Sequence, residues 1–169
     1  MNNKTKKNKI NLRYIPKRLT KKDKKKQAQY LKKSRKLYKK NIYFDRPKVS
    51  SYKSKTSKHI LKARKLYGLN KIYPNKELAK ISGCSINSLN KIVKKGQGAY
   101  YSSGSRPNQT STSWGLARLS SALTSGKAAA VDYDILIKGC KKNSKGYNSA
   151  ILGRKKYGFG KRKIPKVYY

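Results

Sequence analysis

Between Gly96 and Ser113 the chain reads GQGAYYSSGSRPNQTSTS, a stretch with one Arg and no Lys. Gly96, Gly98 and Gly104 free the backbone for close approach. Ser102, Ser103, Ser105, Asn108, Gln109 and Thr110 supply donors, and Arg106 is the lone charge. The stretch runs into an expected helix start at Thr112 to Trp114, where unpaired N–H groups and the helix dipole favour negative charge. These residue types describe an anion cradle. Docking to a carboxylate or phosphate would run through Gly98, Tyr100, Tyr101, Ser102, Ser103, Ser105, Arg106, Asn108 and Gln109. Arg106 would make the charge-assisted contact and the two tyrosines would act as flat anchors. The plainer reading is a structural loop whose amides and hydroxyls cap two helices while Tyr100 and Tyr101 pack inside.

Other chemistry finds little support. GxxxxGK[ST] is absent, so SGKAAA at 125–130 is no phosphate loop. Cys84 and Cys140 stand far apart with a single histidine, His59, which does not match the ligand spacing of a zinc site. Both cysteines are expected to stay reduced in an apolar core. No carboxylate pair or Ser-His-Asp set is visible. The expectation is a non-enzymatic protein with no catalytic residue, metal or cofactor.

The 169 residues carry 46 Lys and Arg against five acids, a formal net charge of +41. Residues 1–95 hold 32 bases and three acids, and residues 141–169 hold ten bases and no acid, so the nearly neutral centre lies between two cationic flanks. Self-repulsion on this scale destabilises a compact state until a polyanion relieves it. Nucleic acid ranks first, because phosphates release condensed counterions to Lys and Arg. Lys far outnumbers Arg, which favours backbone contact over bidentate base reading. No apolar run approaches the roughly 20 residues of a spanning helix, and no signal peptide is seen. The chain is expected to be soluble and intracellular.

The elements that must position these residues read as helices. Residues 1–19 are too polar and charged to bury anything and are expected to be disordered. Thr20-Lys21-Lys22-Asp23 has capping-box spacing, and Ala28, Leu31, Leu37 and Tyr38 give an apolar stripe for a helix over 21–39. IYFDRPKV at 42–49 is an extended strap, since Pro47 disfavours helix at Arg46. A second helix is predicted over 58–67, closed by Gly68. KSRKLYKKN-IYFD (33–45) echoes KARKLYGLNKIYPN (62–75), which we take as a shared way of ending a helix. Ser113 to Gly126, Asp132 to Gly139 and Ser144 to Tyr157 complete the helices, and the tail GFGKRKIPKVYY reads as strap or disorder.

The segment PNKELAKISGCSINSLNKIVKKG (74–96) has the pattern of a helix-turn-helix, with Ala79, Gly83, Leu89 and Ile92 at the small, turn and core positions. If its second helix enters a major groove, Ser85, Asn87, Ser88, Lys91 and Lys94 face nucleic acid. Lys21, Lys22, Lys24, Lys25 and Lys26 would add non-specific phosphate contacts. The bland reading is two packed helices joined by a glycine turn.

The block KKGQGAYYSSGSRPNQTSTSWGLARLSSALTSGKAAAVDYDILIKGC resembles a family of small, Lys-rich basic proteins of large DNA viruses of algae and protists. The likeness is densest over 94–140 and extends loosely to PKRLTKKDKKKQ and FDRPKV. It implies a viral setting and carries over no catalytic residue. The expectation is therefore an all-α protein: a basic N-terminal arm (1–56), a compact helical domain (57–157) and a basic tail (158–169). It would be a minor capsid or internal capsid-associated protein, present in many copies. Its arms would meet capsid proteins or packaged duplex DNA in the virion interior, after assembly in host cytoplasm or viral factory. The alternative is a helix-turn-helix protein acting in viral transcription, replication or genome condensation.

Overall fold

The computed structural model describes residues 9–161 and 164–169. The chain is all-α: among the described residues there are eight helices and one two-stranded sheet. They fall into two compact units. One comprises Met1–Ser54, Ala99–Thr110 and Lys163–Tyr169; the other comprises Lys55–Gly98 and Ser111–Arg162. This division differs from a linear partition into arm, domain and tail, because the first unit collects residues 1–54 and 163–169 together with most of the neutral loop.

In the first unit, strand β1 (Lys9–Asn11) pairs antiparallel with β2 (Lys166–Tyr168), Ile10 facing Val167. A 3-10 turn follows at Leu12–Tyr14. The expected disorder is not found at residues 9–19, where Ile10, Tyr14, Ile15 and Leu19 are buried. The same expectation for residues 1–8 lies outside the described residues. The tail is likewise corrected: three of its residues close the sheet. Apolar side chains at wide spacing do this, a signal too sparse for periodicity to reveal.

Helix α1 (Lys21–Tyr38) starts where its capping residues place it, the Asp23 N–H donating to Thr20 Oγ1 at 3.2 Å. It buries Gln27, Ala28, Leu31 and Ser34 and leaves most of its lysines in solvent. The strap after it, 42–49, is extended, with Arg46 and Val49 buried.

The second unit contains α2 (Lys58–Tyr67), α3 (Lys76–Ser82), α4 (Ile86–Ser102, whose last turn belongs to the first unit), α5 (Ser111–Leu123), α6 (Lys127–Val131), α7 (Tyr133–Gly139) and α8 (Lys145–Tyr157). Ser57, Asn75 and Ser144 cap α2, α3 and α8 through their side chains. The core gathers Ala63, Tyr67, Leu78, Leu89, Ile92, Leu119, Leu123, Ala129, Leu136 and Ala150. The Tyr67 hydroxyl donates to the Leu123 carbonyl at 2.8 Å, and burial pushes its pKa well up.

Three expectations change here. GQGAYYS is not loop but the end of α4, and α5 begins at Ser111 rather than behind a Ser113 cap. Gly96 sits inside a helix because α5 crosses it closely: a Cβ there would lie 2.6 Å from the Gly115 Cα. Packing overrides the low helix propensity of glycine at that crossing. Cys84 and Cys140 are not reduced but form a disulfide. Backbone bonds flank it, Ser85 N–H to Gly139 O and Lys141 N–H to Gly83 O, both 2.8 Å, tying the α3–α4 turn to the end of α7.

Candidate functional site

The neutral loop turns out to hold a cation rather than an anion. Arg46, from the FDRPKV strap, is only 9% exposed. Its Nη1 donates to the Tyr100 carbonyl at 2.7 Å and to Ser34 Oγ at 3.1 Å, and its Nη2 donates to Ser105 Oγ at 2.6 Å. The guanidinium carbon stands 3.7 Å from the centroid of the Tyr100 ring, and the Arg46 N–H donates to the Tyr100 hydroxyl. No carboxylate takes part in these contacts. Both accepting hydroxyls pass the bond on, Ser34 to the Tyr101 carbonyl and Ser105 to the Arg106 carbonyl. Burial pulls the Arg46 guanidinium below its ordinary pKa, while Tyr100 opposes the shift.

Arg35 repeats the arrangement nearby. Its Nε and Nη2 fork onto the Ser103 carbonyl at 3.1 and 2.7 Å, and Nη1 reaches the Lys9 carbonyl. Asn108 fastens the strap from the other side: its Oδ1 accepts the Val49 N–H and its Nδ2 donates to the Val49 and Tyr52 carbonyls. Gly104 adopts φ +115°, and a Cβ there would stand 2.6 Å from Leu31 Cδ2. The loop's glycine, hydroxyls and amide thus serve one purpose, which is to clasp α1 and the strap.

The expected docking residues are accordingly divided. Tyr100 and Ser105 are buried and Asn108 is occupied internally, so these three present nothing to an outside partner. Tyr101 is half-buried, its hydroxyl donating to Asp45 at 2.9 Å. Gly98 lies within α4 and Gln109 is half-buried. Ser102, Ser103 and Arg106 reach the surface.

Ser85, just before α4, and Asn87, Lys91 and Lys94 on it are exposed, but Ser88 is buried. The Ser85 Oγ donates to Ser88 Oγ, and Gly139 of α7 lies so close that a Cβ there would clash with Ser88. Ser88 therefore cannot reach a base. Ser85, Asn87, Ser88 and Lys91 instead line an open groove of about 380 Å³ whose other side is Asp134, Ile135, Lys138 and Gly139. On α1, Lys21, Lys22, Lys25 and Lys26 are exposed and Lys24 is half-buried. Among the described residues no group of His, Cys, Asp or Glu could hold a metal ion, and no helix is long and apolar enough to cross a membrane.

Sequence reasoning passed over the charged residues that act inside each unit. Asp132, fully buried, receives Arg118 Nε and Nη2 at 2.7 and 2.8 Å and Lys95 Nζ at 2.7 Å. Asp23 takes the Ser51 N–H and the Ser50 and Ser51 hydroxyls; these bonds, Ser51's first, hold its carboxyl below the usual range. A usable signal was present: in a chain with five acids, each acid carries unusual weight.

Arg and Lys have separate duties. Of the eight Arg among the described residues, six make internal contacts: Arg35 and Arg46 on carbonyls or hydroxyls, Arg118 on Asp132, and Arg13, Arg18 and Arg154 over tyrosine rings. A guanidinium is weakly hydrated and planar, so it is the cation that can be buried on neutral acceptors. The 33 Lys among the described residues are left mainly to solvent.

No curated protein and no solved structure matches the chain. A family model does match, over residues 11–138, a span that takes in α1, the strap, the clasp and the Asp132 pair. The chain belongs to the family of unknown function DUF5824.

Proposed function

We propose that this protein is a non-enzymatic structural component of a virion, a minor capsid or internal capsid-associated protein that works by binding polyanion. One observation carries the reading: the charge of +41 is left uncompensated by the fold. Lys95 and Arg118 pair with Asp132, while Asp23 and Asp45 spend their charge on hydroxyls and a backbone N–H, so five acids offset little of it. The two units carry 24 and 22 bases against two and three acids, net +22 and +19. Each is therefore a cationic body in its own right, and the opposing charge must come from outside. Lysine suits contact with phosphate backbones without base reading. The virion setting is supported by the resemblance of GAYYSSGSRPNQT and SWGLARL to proteins of large DNA viruses. The clasp alters one part of the picture: the cations of the described residues act from folded surfaces rather than from threading arms.

A salt titration of duplex DNA binding tests this. Fluorescence anisotropy should show little sequence preference and a steep fall of log K with log salt, near −0.9 per phosphate neutralised. A shallow slope would overturn it. Mass spectrometry of purified particles should find the chain in stoichiometric abundance.

A second reading, a helix-turn-helix protein of viral transcription, replication or genome condensation, is favoured by the α3–α4 pair with left-handed Gly83 at its turn. The buried Ser88 counts against it. Selection of a defined sequence from a random duplex pool would favour it over the structural role.

A further inference from the structure

We propose that Tyr43, with Tyr38 and Tyr101 behind it, is a stacking platform for the bases of single-stranded nucleic acid. This rests on the polyanion-binding reading and names its chemistry at one place.

The platform lies wholly in the first unit. Tyr43, on the strap, is 66% exposed. It is held edge-on: its centroid is 5.1 Å from Tyr101 and 6.0 Å from Tyr38, with interplanar angles of 70° and 69°. Tyr38 and Tyr101 are parallel to within 7°. The Tyr101 hydroxyl is anchored on Asp45, so the support under Tyr43 is fixed rather than floppy. An exposed ring gripped from below on two sides keeps an open face ready, and little entropy is lost when something flat settles on it.

The surroundings choose the occupant. The end of α1 and the turn after it place Lys32, Lys33, Arg35, Lys36, Lys39 and Lys40 within nine residues and no acid among them. The nearest acid in sequence, Asp45, is engaged by Tyr101. A cationic peptide would be repelled from this patch. An acidic protein surface would satisfy the lysines but offers no flat group for the ring. Nucleic acid offers both phosphate and a π-face, and only a single strand has bases free to leave their own stack.

The test compares oligothymidylate with an abasic oligonucleotide of the same length, binding to the full chain by anisotropy. Tyr43→Ala should weaken oligothymidylate about ten-fold, leave the abasic strand unchanged, and leave the salt slope unchanged because no charge is lost. Tyr43→Phe should bind like the parent protein. Circular dichroism of both variants should match the parent, since the side chain is mostly in solvent. Equal affinity of the parent for thymidylate and abasic strand, or equal loss on both with Tyr43→Ala, would overturn the platform while leaving the polyanion reading intact. Failure to bind either strand would remove both.

Discussion

The Arg46 guanidinium lies 3.7 Å over the Tyr100 ring and at the same time donates to the Tyr100 carbonyl at 2.7 Å. One residue thus receives a buried cation on its ring and on its backbone, while its hydroxyl accepts the N–H of that same Arg.

Removing this Arg leaves the Tyr100 carbonyl and the Ser34 and Ser105 hydroxyls short of a donor. At about 1–3 kcal/mol for a buried group left unpaired, Arg46→Ala should cost roughly 2–4 kcal/mol. Arg46→Lys should recover less than half, because an ammonium has no planar fork to meet three separated acceptors. Urea unfolding of the three proteins measures both. A loss under about 0.5 kcal/mol, the usual range of surface changes, would show the clasp to be dispensable.

Asp132 carries two cations in a buried site. Arg118→Ala should destabilise by roughly 3–5 kcal/mol, the cost of breaking a buried pair from one side. Asp132→Ala combined with Arg118→Ala should cost clearly less than the sum of the two single changes. Lys95→Ala should cost little, since its side chain is 48% exposed. A double-mutant cycle by chemical denaturation decides the point.

The disulfide closes a loop with a sequence separation of 56. Chain-entropy reasoning puts its contribution near 4 kcal/mol. Added reductant should lower the melting temperature of wild type and leave a Cys84→Ser/Cys140→Ser variant unmoved. Alkylation followed by intact mass should label neither cysteine unless the protein is first reduced and unfolded, since both are buried.

Acid should loosen the strap through Asp23. Its folded carboxyl is held below its ordinary range by Ser51 and Ser50. The stabilisation is therefore fully present above the unfolded value near 4 and is lost as pH falls through the lower folded value. Hydrogen exchange at residues 42–52 should quicken below about pH 4 in wild type. In Asp23→Asn that stretch should exchange faster already at neutral pH and change little with acid.

Local chemistry was legible from the chain and remote pairing was not. Thr20, Asn75 and Ser144 act over three residues, so α1, α3 and α8 begin where their caps announce them. The echoed KLY endings close two helices through left-handed residues, Asn41 after α1 and Gly68 after α2. Arg46 meets Tyr100 and Ser105 across separations of 54 and 59 residues, and no local pattern marks that partnership. The loop's hydroxyls and glycine, which the sequence offers equally to an anion or to the protein's own packing, are spent on Arg46, α1 and the strap. A carbonyl and a hydroxyl oxygen accept as readily as N–H groups donate, and sequence does not say which side faces inward. The tail's strand was hidden because three residues of alternation are too few to read.

The pairing of β1 with β2 also bears on how the protein is made. β1 is the first described element to be synthesised and β2 the last, and the clasp over α1 needs residues 99–110, made midway. On the ribosome, then, α1 and the strap wait for residues 99–110 to emerge before the clasp can order them. During that wait the lysines face ribosomal RNA, the nearest polyanion, with Ile10, Tyr14 and Leu31 uncovered. The first unit is complete only once residues 166–168 have cleared the exit tunnel, and a nascent chain stalled before that point is a cationic, half-built adhesive.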